Sequence, residues 1–114
     1  MASKKGTPAH VRGFIMNKLF EKECYGREGR HNKHMTVRDL RGGYELRYHH
    51  LFEEAVEKLK AEGLVQVFRA RTGRDTDWHI VAAIDKLCCA RALINAYRKS
   101  VKLRPLDPTL KEFS

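Results

Sequence analysis

Residues 59–82 read Leu59-Lys-Ala-Glu-Gly-Leu-Val65, Gln66-Val-Phe-Arg-Ala70, Arg71-Thr-Gly-Arg-Asp-Thr-Asp77 and Trp78-His-Ile-Val-Ala82. Leu59 ends an apolar period of three and four residues, which is helical. Gly63 is a helix stop, since glycine readily takes the left-handed conformation found just past helix ends. Residues 64–70 have strand composition, rich in β-branched and aromatic side chains. Residues 71–77 carry polar turn chemistry, and 78–82 return as a second strand. A helix, a glycine stop and a β-hairpin therefore follow one another with no linker between them.

Working back from Leu59, the same period predicts a third helix over 44–62. Tyr48, Phe52, Ala55, Val56 and Leu59 form its inward stripe, and Arg47, His50, Glu54, Glu57 and Ala61 its outward one. Thr36 caps a short second helix, with Asp39 three residues on and Val37 and Leu40 inward. Gly42-Gly43 ends it. Residues 25–35 hold two glycines and no apolar period, so they read as a loop. The first helix spans 8–24: Thr7 caps it, Pro8 suits its first turn, Val11, Phe14, Ile15 and Leu19 line one face, and Gly26 stops it. Residues 1–7 are a flexible basic tail.

Past the hairpin, a fourth helix covers about 83–102, within a C-terminal helical unit at 83–104. Leu87, Ala90, Ile94, Tyr97 and Val101 repeat at alternating spacings of three and four, a heptad-like seam. Cys89, Leu93 and Ala96 make a second apolar stripe. Two stripes suggest one face for the core and one for a partner, with the seam pairing two copies. The other reading is that a single chain buries both. Pro105 and Pro108 then break helix, and an extended tail at 105–114 ends in Leu110 and Phe113.

The chain has 114 residues, enough for one domain and too few for two. At 42% hydrophobic residues it can bury a core without disulfides or a metal. Lys and Arg number 23 against 14 Asp and Glu, for a net charge of +9. Such a balance points to phosphate polymers or anionic surfaces as partners. Residues 1–44 hold ten basic and four acidic residues, whereas 45–63 hold three and five. No apolar run approaches a membrane span, and no apolar signal core follows the start. The expectation is a cytoplasmic protein, nucleoid-associated in a prokaryote, with no membrane partner.

Cys24, Cys88 and Cys89 are odd in number and include an adjacent pair. That is a poor disulfide framework and suggests a reducing interior. Cys88 and Cys89 are expected to pack inward rather than to sense redox state. The six histidines form no recognised Cys/His ligand pattern. His31 and His34 are three apart, and His49 and His50 point about 100° apart on a helix. No metal site, cofactor or catalytic residue is expected. No nucleophile elbow, phosphate loop or carboxylate pair is present, and Asp75, Asp77 and His79 lie on a hairpin with no enclosed pocket.

The run Leu59-Lys-Ala-Glu-Gly-Leu-Val65, followed by a hairpin with Thr72-Gly-Arg74 at its tip, resembles the winged helix-turn-helix superfamily. The likeness is to small prokaryotic and archaeal transcription regulators and covers about residues 11–82. It implies an α+β, mainly helical fold: helix, short helix, recognition helix and β-hairpin wing in a domain at 8–82, with an additional C-terminal helix. It also implies duplex DNA binding, often as a homodimer joined by a terminal helix, although some members bind RNA or only proteins.

On that likeness, residues 44–62 are the recognition helix in the major groove. Tyr44, Leu46, Arg47 and His50 become the base-reading candidates, Arg47 foremost because its fork matches guanine. Arg69, Arg71 and Arg74 on the wing, Arg38 and Arg41 on the short helix, and Arg27, Arg30 and Lys33 in the loop become backbone contacts. Two features depart from a typical DNA reader. The third helix is acidic through Glu53, Glu54 and Glu57, and the 25–35 loop is long and basic. Structured-RNA or ribosome-associated binding, and a protein-interaction winged helix, stand as alternatives. Trp78 is expected to pack over the hairpin base, and Tyr25 to pack at the end of the first helix.

Overall fold

A computed structural model describes residues 4–27, 30, 31, 33–107, 109 and 110; the side chains of Arg27, Arg30, His31, Thr72 and Asp75 lie outside the described residues. The expected N-terminal tail is thus described only from Lys4, and Pro108 and Phe113 of the C-terminal tail fall outside. The fold is α+β. Among the described residues it contains four α-helices, α1 (Pro8–Glu21), α2 (Val37–Gly42), α3 (Phe52–Ala61) and α4 (Leu87–Ser100). One sheet is formed by β1 (Tyr25–Arg27), β2 (Arg30–His31), β3 (Met35–Thr36), β4 (Val65–Thr72) and β5 (Asp75–Ala83).

α1 is the central helix. Thr7 caps it, its Oγ1 accepting the His10 N–H at 3.3 Å. Val11, Gly13, Phe14, Ile15, Met16, Asn17 and Leu19 are all buried, as on a helix enclosed on most sides. α4, α3 and β5 pack around it. The helix ends three residues earlier than the sequence suggests, and not at Gly26. Glu23 takes the left-handed conformation at φ 54°, with Cys24 N–H bonded to Leu19 O and Glu23 N–H to Phe20 O. That is a Schellman end built on glutamate. α3 closes in the same way on Gly63, at φ 75°, with Leu64 N–H on Leu59 O at 2.9 Å, as expected.

β5 is the hub of the sheet. One edge takes β4 along its whole length, from Val65 opposite Ala82 to Thr72 opposite Asp75. The other edge takes β3 antiparallel, with Thr36 opposite His79, and β1 parallel, with Tyr25 opposite Ala82. β2 pairs with β1 on the outside. Residues 25–35 are therefore not a plain loop but contain three short strands. Strands of two or three residues leave no period in their own sequence, and the open edge of β5, fifty residues away, organises them. The hairpin is also longer than expected. Residues 71, 72 and 75–77 are paired as strand, leaving Gly73-Arg74 as the turn. Gly73, at φ 64°, is the only one of the two with positive φ, the pattern of a type II′ turn that matches the twist of its strands.

α2 forms as expected, with the Asp39 N–H on Thr36 Oγ1 at 3.0 Å. The expected helix at 44–62 does not run unbroken. Tyr44 and Glu45 precede it, Leu46–Leu51 is a 3-10 turn, and only Phe52–Ala61 is α-helix. Tyr44 anchors this break: its ring lies against Phe14 and Phe52 in the core, and its carbonyl accepts from the His49 ring at 2.8 Å.

The seam on α4 faces inward. Leu87, Ala90 and Ile94 are fully buried, and Tyr97 packs on His10 and Phe14 at ring distances of 5.0 and 5.7 Å. Only Val101, 41% exposed, stands clear. These side chains belong to the chain's own core and are not available to a second copy, which corrects the seam expectation. The partner helix is α1. The period alone could not decide between a second chain and an earlier helix of the same one.

Candidate nucleic-acid interface

The core-facing side of the hairpin does not stop at the core. Alternation places Val65 and Val67 of β4 and Ile80 and Ala82 of β5 on one face. Further along, the same face carries Arg69 opposite Trp78 and Arg71 opposite Thr76. The inner half lies on the core, and the outer half overhangs it. Trp78 is 53% exposed, with the Arg69 guanidinium 5.5 Å from its ring centre, close enough for a cation–π contact. Trp78 therefore does not pack over the hairpin base as expected. It stands half in solvent at the edge of a groove.

The groove holds about 430 Å³ between α2, α3 and the hairpin. Val37, Phe52, Val56 and Val67 form its apolar floor. Arg38, Arg41 and Lys60 bring positive charge to it, and Glu53, Glu57 and Asp77 bring negative charge. Arg38 Nη2 donates to Asp77 Oδ2 at 3.1 Å, tying α2 to the hairpin. Arg71 and Arg74 are exposed further out. Five of the expected backbone candidates thus belong to one side of the molecule or its overhang: Arg38, Arg41, Arg69, Arg71 and Arg74. Lys33 is exposed on the segment before β3, and the side chains of Arg27 and Arg30 lie outside the described residues.

The base-reading candidates divide. Tyr44 is buried and is not one: its hydroxyl accepts the Gly6 N–H at 3.1 Å and meets His10 Nδ1 at 2.6 Å. Leu46 is 82% exposed, and His50 is exposed as well. Arg47 is exposed but engaged, with Nε on Glu45 Oε2 at 2.9 Å and its guanidinium 4.6 Å from the Tyr48 ring centre. Glu45 also bonds Lys5. The Lys5 ammonium, and after it the Arg47 guanidinium, hold the Glu45 carboxyl below the usual carboxylate range. The pair is exposed and solvent-screened, so it holds Arg47 only weakly.

Two arrangements had no signal in the sequence. On the opposite face of the hairpin, His34 Nδ1 meets His79 Nδ1 at 2.8 Å, and Phe68 stacks on His79. Near the N-terminus, His10 links three elements. Ser100 donates to Tyr97 O at 2.5 Å, so its oxygen accepts from His10 Nε2 at 2.9 Å. That leaves Nδ1 as the acceptor for the Tyr44 hydroxyl. The neutral ring is fully satisfied in this tautomer. Burial, and secondarily the charge of Lys5, lowers the His10 pKa.

Tyr25 packs at the end of α1 as expected, its hydroxyl on Phe20 O at 3.2 Å. Cys24 is buried, but Cys88 and Cys89 are exposed, against expectation. No group of three His, Cys, Asp or Glu suited to a metal occurs among the described residues, and no described helix is long and apolar enough to cross a membrane. Comparison with protein-family models, with curated proteins and with solved structures gave no match.

Proposed function

We propose that the chain is a winged helix protein that binds duplex DNA, as a transcription regulator or a general DNA-binding protein. The order α2, α3, hairpin supports the winged helix reading, with α3 and its leading 3-10 turn as the recognition element and the β4–β5 hairpin as the wing. One observation carries the functional reading: Arg69, Arg71 and Trp78 occupy the hairpin face that overhangs the groove holding Arg38 and Arg41. Cations on two elements that converge on one surface suit a phosphate backbone. The tip before α3 presents Leu46, Arg47 and His50 to base edges, and the buried Tyr44 holds that tip in place. Glu53 and Glu57 of α3 line the groove beside Arg38 and Arg41, so on this reading the phosphates are met by the wing and α2 at the groove's rim and not by the body of α3.

Reversal of charge at the wing tests this. Arg71→Glu with Arg74→Glu leaves the core untouched, since both side chains are exposed. The double variant is expected to weaken duplex binding at least tenfold and to flatten its salt dependence by about two contacts. Unchanged affinity for DNA would remove the wing from the interface. A second reading has its own support, in Glu53 and Glu57 lining the groove, which suits a basic protein segment. Binding that survives wing reversal but is lost in Glu53→Lys with Glu57→Lys would favour it.

A further inference from the structure

On the duplex reading the phosphates lie at the rim of the groove between α2, α3 and the hairpin, and the groove itself stays unfilled. Its chemistry is wrong for phosphate. The floor is Val37, Phe52, Val56 and Val67, and Glu53 and Glu57 stand on the α3 wall. Both glutamates are exposed and form no ion pair among the described residues. The third carboxylate, Asp77, is already taken by Arg38. Two unpaired carboxylates repel a phosphate, whereas they accept readily from N–H groups.

Other features of the groove are equally unused by a paired duplex. Its volume of about 430 Å³ falls within the range of pockets that take small ligands, roughly 300–1,000 Å³. Trp78 stands on the rim, 53% exposed, beside the Arg69 guanidinium. A half-exposed indole is a platform on which a base stacks, and a neighbouring arginine adds to the stack. Arg38, Arg41 and Lys60 line the same groove, so the phosphates flanking such a base find cations close by. An apolar floor, an aromatic rim, acceptors within and cations around them together match a nucleobase on its strand. A basic protein segment would use the carboxylates but meet repulsion from Arg38, Arg41 and Lys60.

We infer that the groove takes one unpaired base of a DNA strand, with the Trp78 indole against its ring and Glu53 or Glu57 on its Watson–Crick edge. Guanine fits best, because its adjacent N1–H and N2–H donors match the two oxygens of one carboxylate. The inference rests on the DNA-binding reading and narrows it to duplexes with an extruded base. Extrusion costs least where the base has no partner.

Fluorescence anisotropy of three labelled duplexes of one sequence tests it: fully paired, with a single bulged guanine, and with an abasic residue at the bulge. The guanine bulge is expected to bind about tenfold more tightly than the other two. Trp78→Ala should bring the three to within about twofold of one another. Glu53→Gln with Glu57→Gln should do so by another route. Removing two negative charges strengthens binding of every duplex, while the loss of acceptors removes the preference for guanine. This pair of changes keeps side-chain size, so it decides the matter even where Trp78→Ala disturbs the hairpin. An equal rise for all three duplexes, with their ratio kept, would overturn the role of the carboxylates. A guanine bulge bound no more tightly than the paired or the abasic duplex would overturn the inference while duplex binding stands. A preference that survives both variants would also overturn it and leave the groove to a basic protein segment. Failure of all three duplexes to bind would overturn the DNA-binding reading and the inference with it.

Discussion

At the scale of single residues, His10 ties together three parts of the chain that are far apart in sequence. It sits between Tyr44, which orients the tip before α3, and Ser100 at the end of α4. Its neutral form is the one the fold accepts, since Nδ1 already receives the Tyr44 hydroxyl and burial disfavours the charge. The folded pKa therefore lies below the unfolded value of about 6.5. The unfolded chain binds the proton first, so stability is fully present above that value and is lost as pH falls from about 6.5 toward the folded pKa. Urea midpoints measured from pH 7.5 to 5 should decline, and His10→Gln should remove part of that decline. An equal decline in the variant would place the effect elsewhere. None of this was legible in the sequence, where His10 is one histidine in six and its partners lie 34 and 90 residues away.

At the scale of elements, α1 and α4 pack with little room to spare at Gly13. A Cβ built on Gly13 would lie 2.7 Å from Tyr97 Cβ and 2.8 Å from the Leu93 carbonyl oxygen. The second is backbone and cannot step aside. Alanine favours an exposed helix over glycine by about 1 kcal/mol, but overpacking here should reverse the sign. Gly13→Ala is expected to destabilise the chain by about 1–3 kcal/mol, read from chemical denaturation. A stabilised variant would mean that α1 and α4 do not meet this closely. The elements with a long period in their own sequence were legible: α1, α3, the hairpin and α4. Those that depend on distant partners were not. β1 and β3 exist because β5 has an open edge, and the break before α3 exists because Tyr44 turns inward to Phe14 and His10. Tyr44 shows the rule well. Its position at the entry of an expected recognition helix made it a base reader on paper, and its ring is in fact part of the core.

At the scale of the whole molecule, a charge of +9 is held by a fold whose third helix is acidic. The arginines of α2 and the hairpin gather around one groove, with Trp78 at its edge, while Glu53, Glu57 and Asp77 line the same groove. The wing arginines were legible as a cluster, because strand alternation and the turn residues fix where they go. The groove with Trp78 on its rim was not, because it needs α2, α3 and the hairpin in place together. Trp78 is the chain's single tryptophan, so its fluorescence reports directly on that surface. The measurement that bears most directly on DNA binding is a titration of the chain with a random-sequence duplex, read from Trp78 emission over a salt series, with folded RNA as competitor. Five phosphate contacts, from Arg38, Arg41, Arg69, Arg71 and Arg74, predict quenching and a log–log salt slope of about −4 to −5. No quenching at low salt, or a flat slope, or displacement by RNA at far lower concentration than by duplex, would contradict duplex DNA as the partner of this surface.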